Sequence, residues 1–323
     1  GIFGDGEAGM SLMGLRDPKG AYGVGVATIG DDPKSAGSEA LTEALGDSGR
    51  IGEVPQLIWI TGEPGYEEDL IASVEAIVGS DVPIMGGTAA DNDVAGDWHQ
   101  FANGEVYSDA VVMTVLFPSK SVGFSFHSGY EPTEKTGSVT RADDRLLYEI
   151  DGRPAAEVYD EWTGGAIHEE LGTGGTVLGK TTLHPLGREV ASVGGMPYYQ
   201  LSHPEQVTEE GALTLFTRIE EGDEIVCMTG TVDSLTSRAG RVAEAAQDTR
   251  FSDEVEVAGA LVIYCAGCML TVQDRLDEVV TSLDSALEHK PYLGAFTFGE
   301  QGCFVGGNNQ HANLMISVVT FYA

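Results

Sequence analysis

The chain has 323 residues, of which 42% are hydrophobic, and its 51 acidic and 17 basic side chains give a formal net charge of −34 at pH 7. This length allows about two domains with cores of their own. The charge argues against nucleic acid as a partner, because phosphate contacts need clustered Lys and Arg. No apolar run approaches the roughly 20 residues of a membrane span, and no signal peptide is recognisable, so we expect a cytoplasmic protein that binds no membrane.

The acidic residues are spread along the chain and form no tail, which argues against a disordered acidic arm. An even acidic surface with few lysines is typical of a halophilic protein. At about 1 M salt the screening length falls to about 3 Å, so the self-repulsion of such a surface is tolerable. The alternative is an ordinary acidic cytosolic protein.

The first half of the chain predicts an alternation of strands and helices. Short apolar runs rich in branched residues indicate strands, and apolar residues at helical spacing indicate helices. Residues 17–20 join the first two strands as a hairpin. In chain order we predict strands at 9–15, 22–29, 57–60, 106–117, 122–126 and 146–150, and helices at 35–45 and 67–78.

Residues 163–195 form a Gly-rich stretch. We place the domain boundary near residue 160, just before this stretch, which divides the chain into 1–160 and 161–323. Pro154 suits a helix start, and Pro291 ends a helix and begins an extended segment. Residues 299–303 read as a Gly-rich loop. Further strands are predicted at 198–201, 212–217, 224–230, 260–264 and 314–322, and helices at 235–246 and 270–287.

An internal repeat connects the two halves. The order LIWITG, helix, VPIMGGTAADND, loop, SDAVVMTVLF recurs as LVIYCAG, helix, KPYLGAFTFGEQG, loop, ANLMISVVTFY. Pro83 corresponds to Pro291, and Gly86 to Gly294. The period of roughly 205 residues is too long for a solenoid. The sequence therefore predicts an α/β fold of mixed α+β character, with two related, internally duplicated domains of mixed sheets flanked by helices.

The start of the chain is unusual. It opens with GIFGDG, without an initiator Met, and the segment GEAGMSLMGL resembles the closing-strand part of the repeated unit. We therefore expect that the first domain lacks its first strand–helix unit.

Several short motifs, in their order and spacing, resemble the FIST family, an intracellular signal-transduction sensor domain. In the first half they are PIMGGTAAD, the Trp98-x-Gln-Phe segment, NGEVYSDAVV, the Gly129-to-Pro132 turn, SVT at 138–140 and IDGRPA at 150–155. In the second half they are IEEGDEIV, VIYCAGC, PYLGAFTFGEQG and HANLM at 311–315.

The resemblance implies an N-terminal and a C-terminal FIST region, in agreement with the repeat. It also implies a small-ligand sensor, proposed for molecules such as amino acids and coupled to histidine kinases or cyclic-nucleotide signalling proteins. The chain contains no recognisable kinase, cyclase or methyl-acceptor segment, so we expect output through a separate partner.

The CAGC turn is the first candidate site. Cys265 and Cys268 follow a strand and open a helix, where the helix dipole lowers the pKa of a thiol. Three interpretations of these two thiols are open. They are structural or pocket-lining thiols, a redox pair, or two ligands of a metal ion. In the third case Cys303 and His311 would complete a set of four soft ligands. With Cys227, the four cysteines do not indicate a secreted disulfide scaffold.

The GEQGC segment supplies a carboxylate. If it lies near the CAGC turn, Glu300 could bind a ligand amine while helix N–H groups bind the ligand carboxylate, as recognition of an amino acid requires. The alternative is a solvated or capping acid. The predicted ligand-binding residues are Cys265, Gly267, Cys268, Glu300, Gln301, Cys303 and Asn313.

A cysteine-based redox protein or hydrolase using Cys265 and Cys268, or Cys303, is the alternative function. The chain contains no GxSxG, P-loop or HExxH motif, and we predict no catalytic or metal-binding residue. His99 and His127 lie at predicted loop edges, where a lone His is more often a surface or hydrogen-bonded residue than a ligand. A single axial His can hold haem, although the chain lacks an attachment motif such as CxxCH, so the cofactor is left open.

Overall fold

A computed structural model describes residues 11–91, 95–249, 256–304 and 306–323. The strands are β1 Ala21–Thr28, β2 Leu57–Gly62, β3 Ile84–Thr88, β4 Gln100–Ala102, β5 Glu105–Tyr107, β6 Ala110–Phe117, β7 Gly123–Ser128, β8 Glu131–Asp143, β9 Leu146–Ile150, β10 Arg153–Pro154, β11 Gly175–Thr176, β12 Leu186–Val193, β13 Met196–Ser202, β14 Pro204–Val207, β15 Leu213–Leu215, β16 Glu224–Thr229, β17 Val257–Cys265, β18 Tyr292–Thr297, β19 Glu300–Phe304, β20 Asn308–Ala312 and β21 Met315–Tyr322. The helices are α1 Pro33–Asp47, α2 Glu67–Val78, α3 Ala155–Thr163, α4 Leu178–Thr181, α5 Val232–Asp248, α6 Ala266–Thr271 and α7 Leu276–Ala286.

The internal duplication is visible in the strand order. The first repeat has the order β1-β6-β2-β3 and the second has β7-β21-β17-β18. In each repeat the first two pairings are antiparallel and the last is parallel. Two four-stranded units of one topology therefore confirm the predicted mixed α/β architecture.

The hairpin β19–β20 connects the repeats. It follows β18 in the second repeat, but β19 pairs with the free edge of β3 and extends the first sheet to six strands. The strand pairing covers Glu300 with Gly87 and Gln301 with Gly86, and Thr88 N donates a further hydrogen bond to Gly299 O at 2.9 Å. Gly302 then lies so close to β7 that a Cβ atom there would overlap the Phe126 ring.

A nine-stranded sheet is inserted into the second repeat. Helix α1 follows β1 after four residues, whereas the corresponding helix α5 is separated from β7 by β8 to β16. Helix α3 packs into a separate core on this sheet, with Tyr159 and Leu147 fully buried. The predicted division at residue 160 falls within α3.

The two repeats share one core. Leu57 and Met85 of the first sheet belong to the same apolar cluster as Val262 and Met315 of the second. Helices α1 and α2 cover the first sheet through a second cluster, and α5 and α7 lie on the second repeat. Because β21 is covered on both faces, all eight of its residues are buried.

Four predicted elements differ from the structure, three of them wholly within the described residues. The strand at 106–117 is interrupted by Ser108 and Asp109, and Asp109 has a positive φ of 48°. The helix at 270–287 consists of α6, a 3-10 turn at 273–275 and α7. Residues 299–303 were expected as a loop, yet 300–304 form a strand because β3 and β20 offer hydrogen-bonding partners on both sides.

The first predicted strand, at 9–15, lies partly outside the described residues, and residues 11–15 form no strand.

The close approach at Gly302 generates a prediction. We expect Gly302→Ala to lower the free energy of unfolding by about 1–3 kcal/mol, because the methyl group overlaps the Phe126 ring in a closely packed core. Gly46→Ala is the control: its Cβ position in α1 is open, and we expect about 0.5–1 kcal/mol of stabilisation. Denaturant titration of both variants measures the difference, and equal effects would contradict the proposed tight junction.

Candidate functional site

The CAGC and GEQGC segments meet in the protein interior. Cys265 ends β17 and Glu300 begins β19, and the two side chains lie within hydrogen-bonding reach. Glu300 is 0% exposed. Its Oε1 accepts a hydrogen bond from Thr297 Oγ1 at 2.9 Å, and its Oε2 accepts one from Met315 N at 3.0 Å. The carboxyl group therefore anchors the start of the closing strand β21.

Burial controls the protonation of this cluster. Burial, and after it the neighbouring Cys265, raises the pKa of Glu300 well above its usual range. The hydrogen bond with Cys268, followed by burial, raises the pKa of Cys265 well above the ordinary thiol value. The expected lowering by the helix N-terminus is therefore wrong for Cys265, because desolvation and the second thiol outweigh the dipole of the six-residue α6.

The other predicted residues have their own partners. Half-buried Gly267 packs near Leu314 and His203. Gln301 and Cys303 point away from Glu300 because strand residues alternate between faces. Gln301 Nε2 lies 3.4 Å from His311 Nδ1, and Cys303 N lies 3.4 Å from Met85 Sδ. Asn313 Oδ1 accepts a hydrogen bond from His203 N at 3.2 Å.

The described residues contain no group of three or more His, Cys, Asp or Glu side chains that could hold a metal ion. His311 Nε2 instead lies 3.0 Å from the carbonyl oxygen of Phe216. All four cysteines are buried and free, and burial raises the pKa of both Cys227 and Cys303 to about 11. The thiols of Cys227 and Cys303 are therefore poor candidates for nucleophiles, because the reactive form of a thiol is the thiolate.

A cavity of about 290 Å³ lies between the β7–β8 turn and α5. We call it the α5 cavity. It lies between the end of β7, the start of β8 and helix α5, which follows the inserted sheet. Its walls include Ser125, His127, Tyr130, Arg238, Arg241 and Val242.

Tyr130 connects the α5 cavity to the CAGC turn. Its hydroxyl donates a hydrogen bond to Thr182 O at 2.8 Å and lies 3.5 Å from Cys268 Sγ. Because the only hydroxyl proton is directed to Thr182, the thiol of Cys268 donates to Tyr130 Oη. The predicted turn and the cavity are therefore separated by one side chain, although none of the seven predicted residues lines this cavity.

A larger groove of about 730 Å³ runs between β18 and α7. Its walls are mainly aliphatic and aromatic, and include Tyr264, Val279, Leu283, Tyr292 and Phe296. The groove also has Asp284, His289 and Lys290 in its walls, but a larger share of the residues that line the α5 cavity is polar. A site for a small polar molecule needs such converging polar groups.

The sequence analysis did not single out Arg238, Arg241 or Tyr130. A signal for Arg238 is present, however. It lies on the stripe of α5 formed by the buried residues Leu235, Ala239 and Val242, and a charged residue on an apolar stripe is unusual.

Two family models match the chain. The FIST N domain matches residues 1–153, and the FIST C domain matches residues 155–303. The uncharacterized protein MJ1623 of Methanocaldococcus jannaschii is 39% identical over 80 residues, a match that spans 25% of this chain and 16% of that relative's length. No helix in the described parts of the chain is long and apolar enough to cross a membrane.

Comparison with solved structures finds PurLQS of Thermotoga maritima, with a TM-score of 0.29 and 10% identity. It also finds phosphoribosylformylglycinamidine synthase II of the same organism, with a TM-score of 0.28 and 9% identity. Each alignment covers 94% of this chain and 72% of the other. Likeness at this level carries no functional argument.

The raised thiol pKa values generate a prediction about alkylation. At pH 8 we expect Cys227, Cys265 and Cys303 of the folded protein to react with iodoacetamide at least about 100-fold more slowly than an ordinary free thiol, because they are buried and protonated. Mass spectrometry of the labelled peptides gives the rates, with the urea-unfolded chain as control. Reaction of any of the three at the rate of a free thiol would revive the cysteine-enzyme alternative.

The buried carboxyl group generates a prediction about pH. A folded-state pKa above the unfolded value means that the folded protein binds the extra proton, so stability falls as the pH rises above about 4.5. The slope is at most about 1.4 kcal/mol per pH unit. Glu300→Gln stays neutral and keeps an acceptor for Met315 N–H, so we expect its unfolding free energy to lack this slope between pH 5 and 8.

The control for that comparison is Glu39→Gln, which removes one charge at an exposed position of α1. Denaturant titrations at several pH values give the curves. Parallel curves for the wild type and Glu300→Gln would show that Glu300 is ionised in the folded protein.

Proposed function

Because the chain belongs to the FIST family, whose domains are signal-transduction sensor domains, we propose that it is a cytosolic module that binds a small polar metabolite, such as an amino acid, in the α5 cavity. The observation that carries this proposal is the position of the cavity. It lies where the β7–β8 turn meets α5, and its Tyr130 wall contacts the CAGC turn. A ligand there would touch parts of both family regions.

The route from the cavity to the rest of the protein runs through side-chain contacts. Tyr130 contacts Cys268, Cys268 contacts Cys265, and Cys265 adjoins Glu300, which binds the N–H group at the start of β21. A ligand that displaces or orders Tyr130 would therefore act on the junction of the repeats. Accordingly, three of the seven predicted residues, Cys268, Cys265 and Glu300, would respond to a ligand although they do not line the cavity.

A sensor needs an output. We propose that a separate protein, such as a histidine kinase or a cyclic-nucleotide signalling protein, receives the signal. A change at the β19–β3 junction would alter the relative positions of the two sheets, and such an interface with two discrete arrangements is a known type of switch.

A metabolite screen tests this function. We expect at least one small polar metabolite to raise the melting temperature, since a ligand present at 100 times its Kd stabilises the folded state by about 2.7 kcal/mol. Ala245→Leu places a larger side chain in the wall of the α5 cavity and should weaken the response. Ala72→Leu, at an exposed position of α2, is the matched control and should respond like the wild type.

No stabilisation by any metabolite of a broad panel would contradict the proposed sensor function. A metabolite that stabilises Ala245→Leu and the wild type equally would place the binding site outside the α5 cavity.

A further inference from the structure

Two arginines of the described chain are conspicuous because they line the same cavity and neither has an acidic partner. Acids outnumber bases 51 to 17, and most arginines are accordingly ion-paired with Asp or Glu. Among the described arginines, Arg16, Arg238 and Arg241 form no ion pair. Arg16 is an exposed residue outside the cavity, whereas Arg238 and Arg241 both line the α5 cavity. In so acidic a protein, two unpaired cations at one cavity indicate that the counter-charge comes from outside the chain.

Arg238 is the buried member of the pair. Only 5% of its surface is exposed, and its Nε makes no hydrogen bond within the described residues. Burial, and after it the neighbouring Arg241, lowers the pKa of Arg238 to about 9, so the group remains cationic at neutral pH. A buried, charged group without a counter-ion is costly, and this cost is relieved when an anion binds.

The backbone leaves room for this guanidinium group. Gly129 lies in the turn between β7 and β8, and a Cβ atom at this position would lie 2.7 Å from Arg238 Nη1. His127 Nδ1 lies 2.9 Å from Arg238 Nη2. Desolvation of the imidazole, and after it the Arg238 cation, lowers the pKa of His127, which favours the neutral ring and leaves Arg238 without a compensating charge.

The remaining walls define the rest of the ligand. Val242, Ala245 and the Tyr130 ring are apolar, so the space beside the two cations suits a short apolar body. Glu131 also lines the cavity and is exposed. Its carboxylate disfavours anions of high charge, and two arginines with one glutamate leave a net charge of one positive unit.

We propose that the α5 cavity binds a small monocarboxylate, whose carboxylate group is held by Arg238 and Arg241 and whose short apolar body lies against Val242 and Tyr130. This inference rests on the proposed sensor function and names the chemical class of its ligand. An amino acid is a zwitterionic member of that class, and Glu131 is the acidic residue in the cavity wall that would pair with its ammonium group. A guanidinium group can bind both carboxylate oxygens at once, which makes it a better carboxylate donor than an ammonium group.

The test compares propionate with propionamide, which have similar shapes but differ in charge. Ionic strength is held constant while calorimetry or NMR titration measures binding. We expect propionate to bind the wild type, and propionamide to bind at least about tenfold more weakly. Arg238→Met should weaken propionate binding at least about tenfold, because truncating one partner of a buried charge pair has effects of that size or larger. L-alanine and L-alaninamide form a second matched pair, to be repeated with Glu131→Gln.

Stability without ligand separates a binding arginine from a structural one. We expect Arg238→Met to melt at or above the wild-type temperature in carboxylate-free buffer, because the variant removes an uncompensated charge. The control is Arg145→Met, since Arg145 Nη2 lies 2.6 Å from carboxylate oxygens of both Glu67 and Glu68. This variant should melt at a lower temperature because it leaves two carboxylates without their partner.

If Arg238→Met does not fold, two further variants still test the proposal. Arg241→Gln changes an exposed residue, and Gly129→Ala displaces the guanidinium group without removing its charge. Both should weaken propionate binding. Equal binding of propionate and propionamide, undiminished binding by these variants, or tighter binding of inorganic phosphate than of propionate would overturn the carboxylate assignment.

The two proposals fail in different ways. If neutral or cationic metabolites bind the α5 cavity and carboxylates do not, the carboxylate assignment is wrong and the sensor function stands. If no metabolite binds, both are wrong.

Discussion

The pairing of β19 with β3 is the contact on which the rest of this structure depends. A hairpin of the second repeat leaves its own sheet and completes the sheet of the first, through two strand pairs and a backbone hydrogen bond from Thr88 to Gly299. Glycines allow close packing around this short junction: a Cβ atom on Gly87 would overlap Thr297, and Gly302 lets β19 approach Phe126. The edge of β3 is thereby protected, and the two repeats bury one shared core.

This junction also explains the chemistry of the CAGC turn. It carries Glu300 into the space between the sheets, where water cannot stabilise a carboxylate or a thiolate. Glu300 and Cys265 respond by retaining their protons. Arg238 differs because a guanidinium group does not release its proton at neutral pH. Of Glu300, Cys265 and Arg238, the arginine is therefore the group that keeps its charge. A ligand could supply the counter-charge for it.

The net negative charge of the protein opposes the binding of an anion, whereas the cationic α5 cavity favours it. A net charge of −34 repels an approaching anion at long range. In about 1 M salt the screening length is only about 3 Å, so this repulsion is short-ranged, while a contact between a carboxylate and a buried guanidinium group is much less screened. An acidic surface and an anion site are therefore compatible, and their balance depends on the salt concentration.

The sequence by itself determined the features that arise from local patterns. Helix α2 at 67–78 and strand β9 at 146–150 have the predicted bounds, because apolar periodicity reports which face of a segment is buried. The order of motifs also revealed the duplication and the FIST family. Tertiary structure decided which segments become neighbours. Residues 299–303 read as a loop until β3 provides a partner, and Arg238 reads as one polar residue of a helix until the β7–β8 turn closes over it. Such contacts join residues more than 100 positions apart, and no local pattern encodes them.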